Sequence, residues 1–502
     1  MFLAESPRIG GVALILAVVL AAGILLLPSV DLIPYYWLAV AAGIGFVCYA
    51  FLGDLLLAVL FWFFAVVCLH EEFWRLIVPF FFNLTIPRIL VGVLLVLFIV
   101  MVASGRIRFV WPGATGWMMV LILGYFTASA VITGFQTIAV ATVHYRLIGG
   151  YWFPFLVFLF VLHGVRREVD LKRILVFFFL LSVYLTFTGW CEHFKLWSLV
   201  FPKFIGDPTK GIHWTRVRGP FLVSAAMGLA MVYAFFNNLL LARYWTAVPR
   251  WAIYLVNLAM LPTIFWTLTR SVWLSMIVCG IVWTIYASRR ASRVIGVSLL
   301  TAAGILVVSV NWENLLTQER EVGGVAQVAP IIERIGLALL TFDIISDYPV
   351  TGVGFGHFRD AAPQYAKDPA SPYYTFAAQS MEHNNLLSIL AECGVIGLTF
   401  YALLFFTLLR TSIQLFRILP PGAPGLVSRD LLVLYWILCA AYFIDGMFRE
   451  TSVNPFANSL FFGLSGMILA LQVILSPKPL PQAAASLART ITPAAIRSNA
   501  TA

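Results

Sequence analysis

Charge is scarce in this chain. Asp, Glu, Lys and Arg make up only 11% of 502 residues, against roughly a quarter in a soluble domain. With 62% hydrophobic residues and a mean hydropathy of +0.95, that deficit excludes an ordinary soluble protein. Ligand spacing is also missing. The six cysteines are scattered and mostly lie in apolar runs, so packing rather than a disulfide frame or metal site is their expected role. The histidines show no zinc-type spacing, and no G-x-S-x-G nucleophile elbow occurs. There is no concentrated basic tail, so the net charge of +10 reads as topogenic charge and nucleic acid is not an expected partner. The N-terminal apolar run has no convincing small-residue cleavage site and reads as a first span.

What is present is a series of long apolar segments. A helix needs about 20 apolar residues to cross the hydrocarbon core. At this hydropathy helices rather than barrel strands satisfy the backbone. The fold class is therefore all-α, a polytopic integral membrane protein. Segments 10–27, 33–50, 55–69, 89–103, 116–134, 149–163 and 174–190 read as spans. The second half adds 220–241, 251–268, 271–287, 294–310, 385–409, 431–445 and 459–475, giving about 14 crossings. The stretch 76–86 is too short to span and reads as interfacial. Lys and Arg cluster in alternate short loops, which predicts both termini on the cytoplasmic side.

This organisation predicts N-terminal transmembrane helices over 1–190 and helices carrying arginine motifs over 191–310. A long extracytoplasmic loop over 311–383, C-terminal helices over 384–475 and a disordered cytoplasmic tail over 476–502 complete it. A connection as long as 311–383 is seldom passive. Within it, 330–346 predicts an amphipathic helix with Ile331, Ile335, Leu339 and Phe342 on one stripe.

Several arginines run against the positive-inside trend. Arg75, Arg88 and Arg146 read as snorkelling to lipid headgroups, and Arg334 and Arg449 fall on the same face. Arg270, in the tight connection Thr269-Arg270-Ser271, is harder to explain that way, as is Arg218 before Gly219-Pro220. A guanidinium is always ionised and binds phosphate oxygens in pairs, so such groups converging outside the cytoplasm suit a pyrophosphate. Met381-Glu382-His383-Asn384-Asn385 is the densest polar cluster and opens straight into an apolar segment. Ionisable groups at membrane depth usually mark a substrate path or reaction site. Imidazole titrates near neutrality, so His383 is a candidate general base, weighed against a capping histidine. Asn384 and Asn385 are candidate orienters of the ring or substrate, whereas Glu392 reads as a helix–helix contact. The run Gly352-Val353-Gly354-Phe355-Gly356 lacks a βαβ context and reads as tight turns close to other helices or a ligand, not a nucleotide loop.

Three blocks of residues carry a family resemblance: Arg334 with Pro349–Phe358, His383-Asn384-Asn385-Leu386-Leu387, and Glu392-Cys393-Gly394-Val395-Ile396-Gly397-Leu398. Together with Arg218-Gly219-Pro220-Phe221 and Thr269-Arg270-Ser271, they resemble the O-antigen ligase and polymerase superfamily over about 216–398. The chain departs from many members in continuing with Leu222-Val223-Ser224. The resemblance implies a metal-independent, inverting, GT-C-like membrane glycosyltransferase of the bacterial inner membrane, with no cofactor. Its donor would be a glycan on undecaprenyl pyrophosphate at the periplasmic face, and its acceptor lipid A-core for a ligase or a growing glycan for a polymerase. His383 would be the base. Arg218 and Arg270 would hold the pyrophosphate, with Arg216 an equal alternative to Arg218 and Arg334 a further candidate; Asn384, Gly352 and Gly354 would support the site. A transporter is the rival from another class, but no matching pair of broken spans is evident.

Overall fold

The computed structural model describes residues 53–76, 83–137, 142–287, 319–320, 323–324, 329–366, 371, 373 and 382–475. The expected spans 10–27, 33–50 and 294–310 and the tail 476–502 lie outside these. The described chain is helical, with two short antiparallel pairings of two residues per strand. One of them, Arg75–Leu76 (β1) with Leu84–Thr85 (β2), brackets the stretch expected at the interface.

The helices in chain order are α1 (Leu55–Cys68), α2 (Ile86–Ala103), α3 (Gly113–Thr133), α4 (Phe153–Gly164) and α5 (Glu168–His193). There follow α6 (Ser224–Tyr244), α7 (Arg250–Trp266), α8 (Arg270–Ala287) and α9 (Ala329–Asp347). The last four are α10 (Phe358–Tyr365), α11 (Asn385–Ile418), α12 (Arg429–Gly446) and α13 (Pro455–Leu475). Among the described residues, seven helices are long and apolar enough to cross a membrane, α4 counting together with the π-helical turn Tyr145–Trp152 that precedes it. The protein is a multi-pass, all-helical membrane protein.

Lipid provides no hydrophobic drive between helices, so close packing and internal hydrogen bonds hold them together. α13 lies along α4, where a side chain at Gly466 would meet the Phe158 carbonyl at 2.3 Å. α6 is the central helix, packed by α5, α7 and α12, and most of its surface is buried. Asn238 on α6 donates to Asn257 Oδ1 on α7 at 2.9 Å and to Ser182 Oγ on α5 at 3.0 Å. By contrast α2 is mostly exposed, with Val96, Ile99 and Val100 facing outward as a lipid-facing side would.

α9 forms where the sequence predicts a helix, but the expected stripe is not the one that packs. Ile335, Leu339 and Phe342 are exposed, whereas Leu337, Leu340 and Ile344 are buried against α10 and α11. The helix has two apolar faces. Gly336 selects between them by letting the Tyr373 carbonyl come within 1.8 Å of where a Cβ would stand.

Candidate functional site

His383 is presented by a helix cap. Asn384 has extended backbone (φ −138°, ψ 119°), and its side-chain oxygen accepts from the Leu386 and Leu387 N–H groups at 3.0 and 3.2 Å. That is N-cap geometry, and it holds His383 on the loop one residue ahead of the cap. Glu382 anchors the other side. Its carboxylate is buried, accepts from the Thr341 hydroxyl on α9 and accepts from the His383 N–H at 3.0 Å. Burial pushes the Glu382 carboxyl up to about 7, against the opposing pull of those hydrogen bonds. Asn385 donates to Tyr401 Oη at 2.8 Å and accepts from the Thr451 hydroxyl at 2.9 Å. Both asparagines thus fix the loop that carries His383.

The glycine run closes onto α11. Gly394 has φ 62° and ψ −168°, a conformation essentially reserved for glycine, and it kinks the helix there. The kink frees carbonyls of α11: Ala391 accepts from Val353 N–H and Glu392 from Gly354 N–H, each at 2.9 Å. Gly352 (φ 69°) lies so close that a Cβ would meet the Glu392 carbonyl carbon at 2.3 Å, and Gly354 (φ 110°) would meet Thr133 at 2.3 Å. These glycines serve backbone-to-helix contact.

Beneath the loop lies a buried ion cluster. Arg146, in the π-helical turn ahead of α4, donates to Glu392 Oε1 at 2.7 Å and Oε2 at 2.6 Å, and also pairs with Glu450. Ser452 accepts from its Nε at 3.2 Å, and the Phe355 ring lies 5.2 Å from the guanidinium carbon. Arg146 is 2% exposed, which corrects its reading as a snorkelling residue. The pairing was hidden because its partners lie 246 and 304 residues away.

The arginine candidates divide. Arg218 is fully buried. Its guanidinium donates to the Ile205 carbonyl at 3.2 Å, to that of Asp207 at 2.9 Å and to that of Lys210, and it lies over the Trp214 ring at 4.7 Å. It therefore holds the loop between α5 and α6. Arg216 is half-buried, and the next residue, Val217, donates to the Trp266 carbonyl at 3.1 Å, at the end of α7. Ser224 hydrogen bonds to both His213 Nδ1 and Thr269 Oγ1 at 3.0 Å, so this segment is tied to the turn that carries Arg270.

Arg270 begins α8 and reaches Arg334 on α9 electrostatically. Burial first, then the Arg270 charge, push the Arg334 guanidinium below its ordinary value. Neither arginine forms an ion pair among the described residues. Arg334 stands over the Phe448 ring at 5.2 Å. Seven residues, two helical turns, separate it from Thr341, the residue that holds Glu382.

A cavity of about 500 Å³ opens beside His383. Glu382, Arg449 and Glu450 line it with His383, and the opposite wall comes from the N-terminal part: Trp62, His70, Glu71, Glu72, Arg88 and Tyr145. Arg218, Arg270, Arg216 and Arg334 are not on this wall. Arg75 is exposed and fits headgroup contact, whereas Arg88 lies over the Tyr145 ring at 5.4 Å and faces the cavity. Sequence reasoning missed this wall. Its one available signal was the acidic pair Glu71-Glu72 between two apolar runs. Among the described residues no group of three or more His, Cys, Asp or Glu side chains could hold a metal ion.

No curated protein matches the chain. Residues 255–402 match a family model described as O-antigen ligase. That segment carries His383, Arg270, Arg334 and the glycine run. Arg216, Arg218 and the N-terminal wall of the cavity lie outside it, so the match is narrower than the expected 216–398. Residues 255–402 are therefore similar to the O-antigen ligase family.

Proposed function

We propose that this protein is a GT-C-like glycosyltransferase of about 14 spans, with both termini cytoplasmic, in the inner membrane of a bacterium. It moves a glycan from undecaprenyl pyrophosphate to an acceptor sugar at the periplasmic face, as a ligase acting on lipid A-core. The observation that carries this reading is the pair Arg270 and Arg334. The Arg270 charge acts on the Arg334 guanidinium, opposed by the neighbouring Glu333, and neither arginine forms an ion pair among the described residues. Such a pair repels by an amount on the order of 1–3 kcal/mol at an effective dielectric near 20, and a bound anion relieves that repulsion. The same face of α9 holds the loop that bears His383.

In this reading the His383 imidazole takes the proton from the acceptor hydroxyl as that oxygen attacks the anomeric carbon. The bond from that carbon to the pyrophosphate oxygen breaks, and the lipid pyrophosphate leaves with the electron pair. A single displacement inverts the anomeric centre. Arg270 and Arg334 neutralise the charge that develops on the leaving oxygen, with Arg216 at the same end as a further ligand. Arg218 contributes by holding the 205–210 loop, and Gly352, Gly354 and Asn384 by fixing the backbone around His383. A leaving group this activated needs a base and charge stabilisation but no metal or cofactor.

The test is binding of undecaprenyl pyrophosphate and undecaprenyl monophosphate to the purified protein in nanodiscs. The double variant Arg270→Ala, Arg334→Ala is expected to lose 10-fold or more in affinity for the pyrophosphate, with a smaller loss for the monophosphate. Unchanged pyrophosphate affinity removes the two arginines from the site.

A further inference from the structure

The cavity beside His383 has a wall that the family match does not reach, and the charges on it are largely neutralised within the protein. Glu72 pairs with Lys210 at 3.1 Å, and Glu450 with Arg146. Arg449 Nε is held by both Asp445 oxygens, at 2.7 and 2.8 Å. Glu382 lies at the threshold of ionisation at neutral pH. A pyrophosphate here would face the carboxylates of Glu71, Glu72, Glu382 and Glu450 against the two lining cations Arg88 and Arg449; each carboxylate about 5 Å from a phosphate oxygen costs on the order of 3 kcal/mol at an effective dielectric near 20. A neutral polyhydroxylated ligand meets no such cost.

Two polar groups on this wall can meet a ligand. Arg449 Nη2 is buried and finds no hydrogen-bond partner among the described residues. The Glu71 carboxylate accepts no hydrogen bond among them. One is a donor and the other an acceptor, which is what a sugar hydroxyl requires. Aromatic rings of Trp62 and Phe153 supply apolar wall, and the volume of about 500 Å³ falls within the range of small-ligand sites.

We propose that this cavity is the acceptor-sugar subsite, in which Glu71 and Arg449 hydrogen bond to hydroxyls of a neutral sugar and thereby set acceptor specificity. The proposal rests on the glycosyl-transfer reading. It assigns acceptor recognition to the N-terminal part and the 449–456 turn, while residues 255–402 supply base and cations. An inverting displacement needs acceptor and leaving pyrophosphate on opposite sides of the anomeric carbon. A near-neutral cavity with the cation pair off its wall meets that need.

The test reads binding without turnover. The probe is a dephosphorylated core oligosaccharide from a rough lipopolysaccharide, followed by saturation-transfer NMR on the nanodisc-embedded protein. The wild type is expected to bind it, and Glu71→Gln and Arg449→Gln each to weaken it 10-fold or more. Glu71→Gln is expected to keep its unfolding temperature, whereas Arg449→Gln lowers it because the buried Asp445 loses its cation; both are expected to fold and to bind undecaprenyl pyrophosphate within twofold of wild type. No binding by wild type, or undiminished binding by both folded variants, overturns the proposal. If oligosaccharide binding behaves as expected but His383→Ala still transfers glycan, the subsite stands and the transfer mechanism falls.

Discussion

Two groups of arginines in this protein receive opposite treatment. Arg146 is enclosed with Glu392 and Glu450, and its charge is answered within the fold. Arg270 and Arg334 are set near each other, half-buried, with no ion-pair partner among the described residues. A buried charge left unpaired would cost several kcal/mol, so the fold supplies Arg146 with carboxylates from α11 and from the turn before α13. A half-buried cation pair can wait for an anion from outside. In the proposed reading the difference separates scaffold from site: charges neutralised internally hold the loop, and charges without an ion-pair partner among the described residues are available to a ligand.

The comparison breaks first at Arg146. Arg146→Ala leaves Glu392 and Glu450 buried without their cation, so a loss of about 3–5 kcal/mol is expected, read as collapse of folded yield and unfolding temperature. An equal loss from Arg334→Ala would erase the distinction between the two groups. Gly394→Ala comes next. Its backbone conformation costs a side-chain-bearing residue about 1–3 kcal/mol, and its Cβ would meet the Val350 carbonyl oxygen at 2.1 Å. Thermal unfolding of the purified variant measures that loss.

A smaller effect lies at Glu382. Burial raises its folded pKa from the ordinary 4.5 to about 7, so the folded state holds the proton more tightly than the unfolded one. The stabilisation this gives is fully present below about 4.5 and is lost as pH rises towards about 7. Glu382→Gln is expected to flatten the fall in stability across that window, by an amount on the order of 1–3 kcal/mol, read by thermal unfolding at stepped pH. A slope identical to wild type would detach Glu382 from the docking of the loop. Arg75→Ala, at an exposed position, is expected to change stability by less than about 0.5 kcal/mol.

Much of this was legible in the sequence, for identifiable reasons. Apolar run length located the helices: 89–103 became Ile86–Ala103 and 116–134 became Gly113–Thr133. The polar cluster at His383 stood out because it interrupts an apolar pattern, and Arg270 because its connection is short. Long-range pairing was not legible. Nothing local to Arg146 points to Glu392 or Glu450, which meet it only through tertiary packing. The α9 stripe was misread because Leu337, Leu340 and Ile344 form a second apolar face, and only the contact at Gly336 decides between them. Arg218 looked like a ligand because its sequence neighbours resemble a motif. Its engagement with three carbonyls depends on how the 205–210 loop folds back.

The most direct measurement is glycan transfer from an undecaprenyl-pyrophosphate-linked donor to lipid A-core by wild type and His383→Ala in nanodiscs, with donor binding followed in parallel. Wild type is expected to transfer glycan, and the variant to fall about 10²–10⁴-fold in rate with donor affinity within twofold. A His383→Ala protein that binds donor and transfers glycan at the wild-type rate would contradict the proposed mechanism.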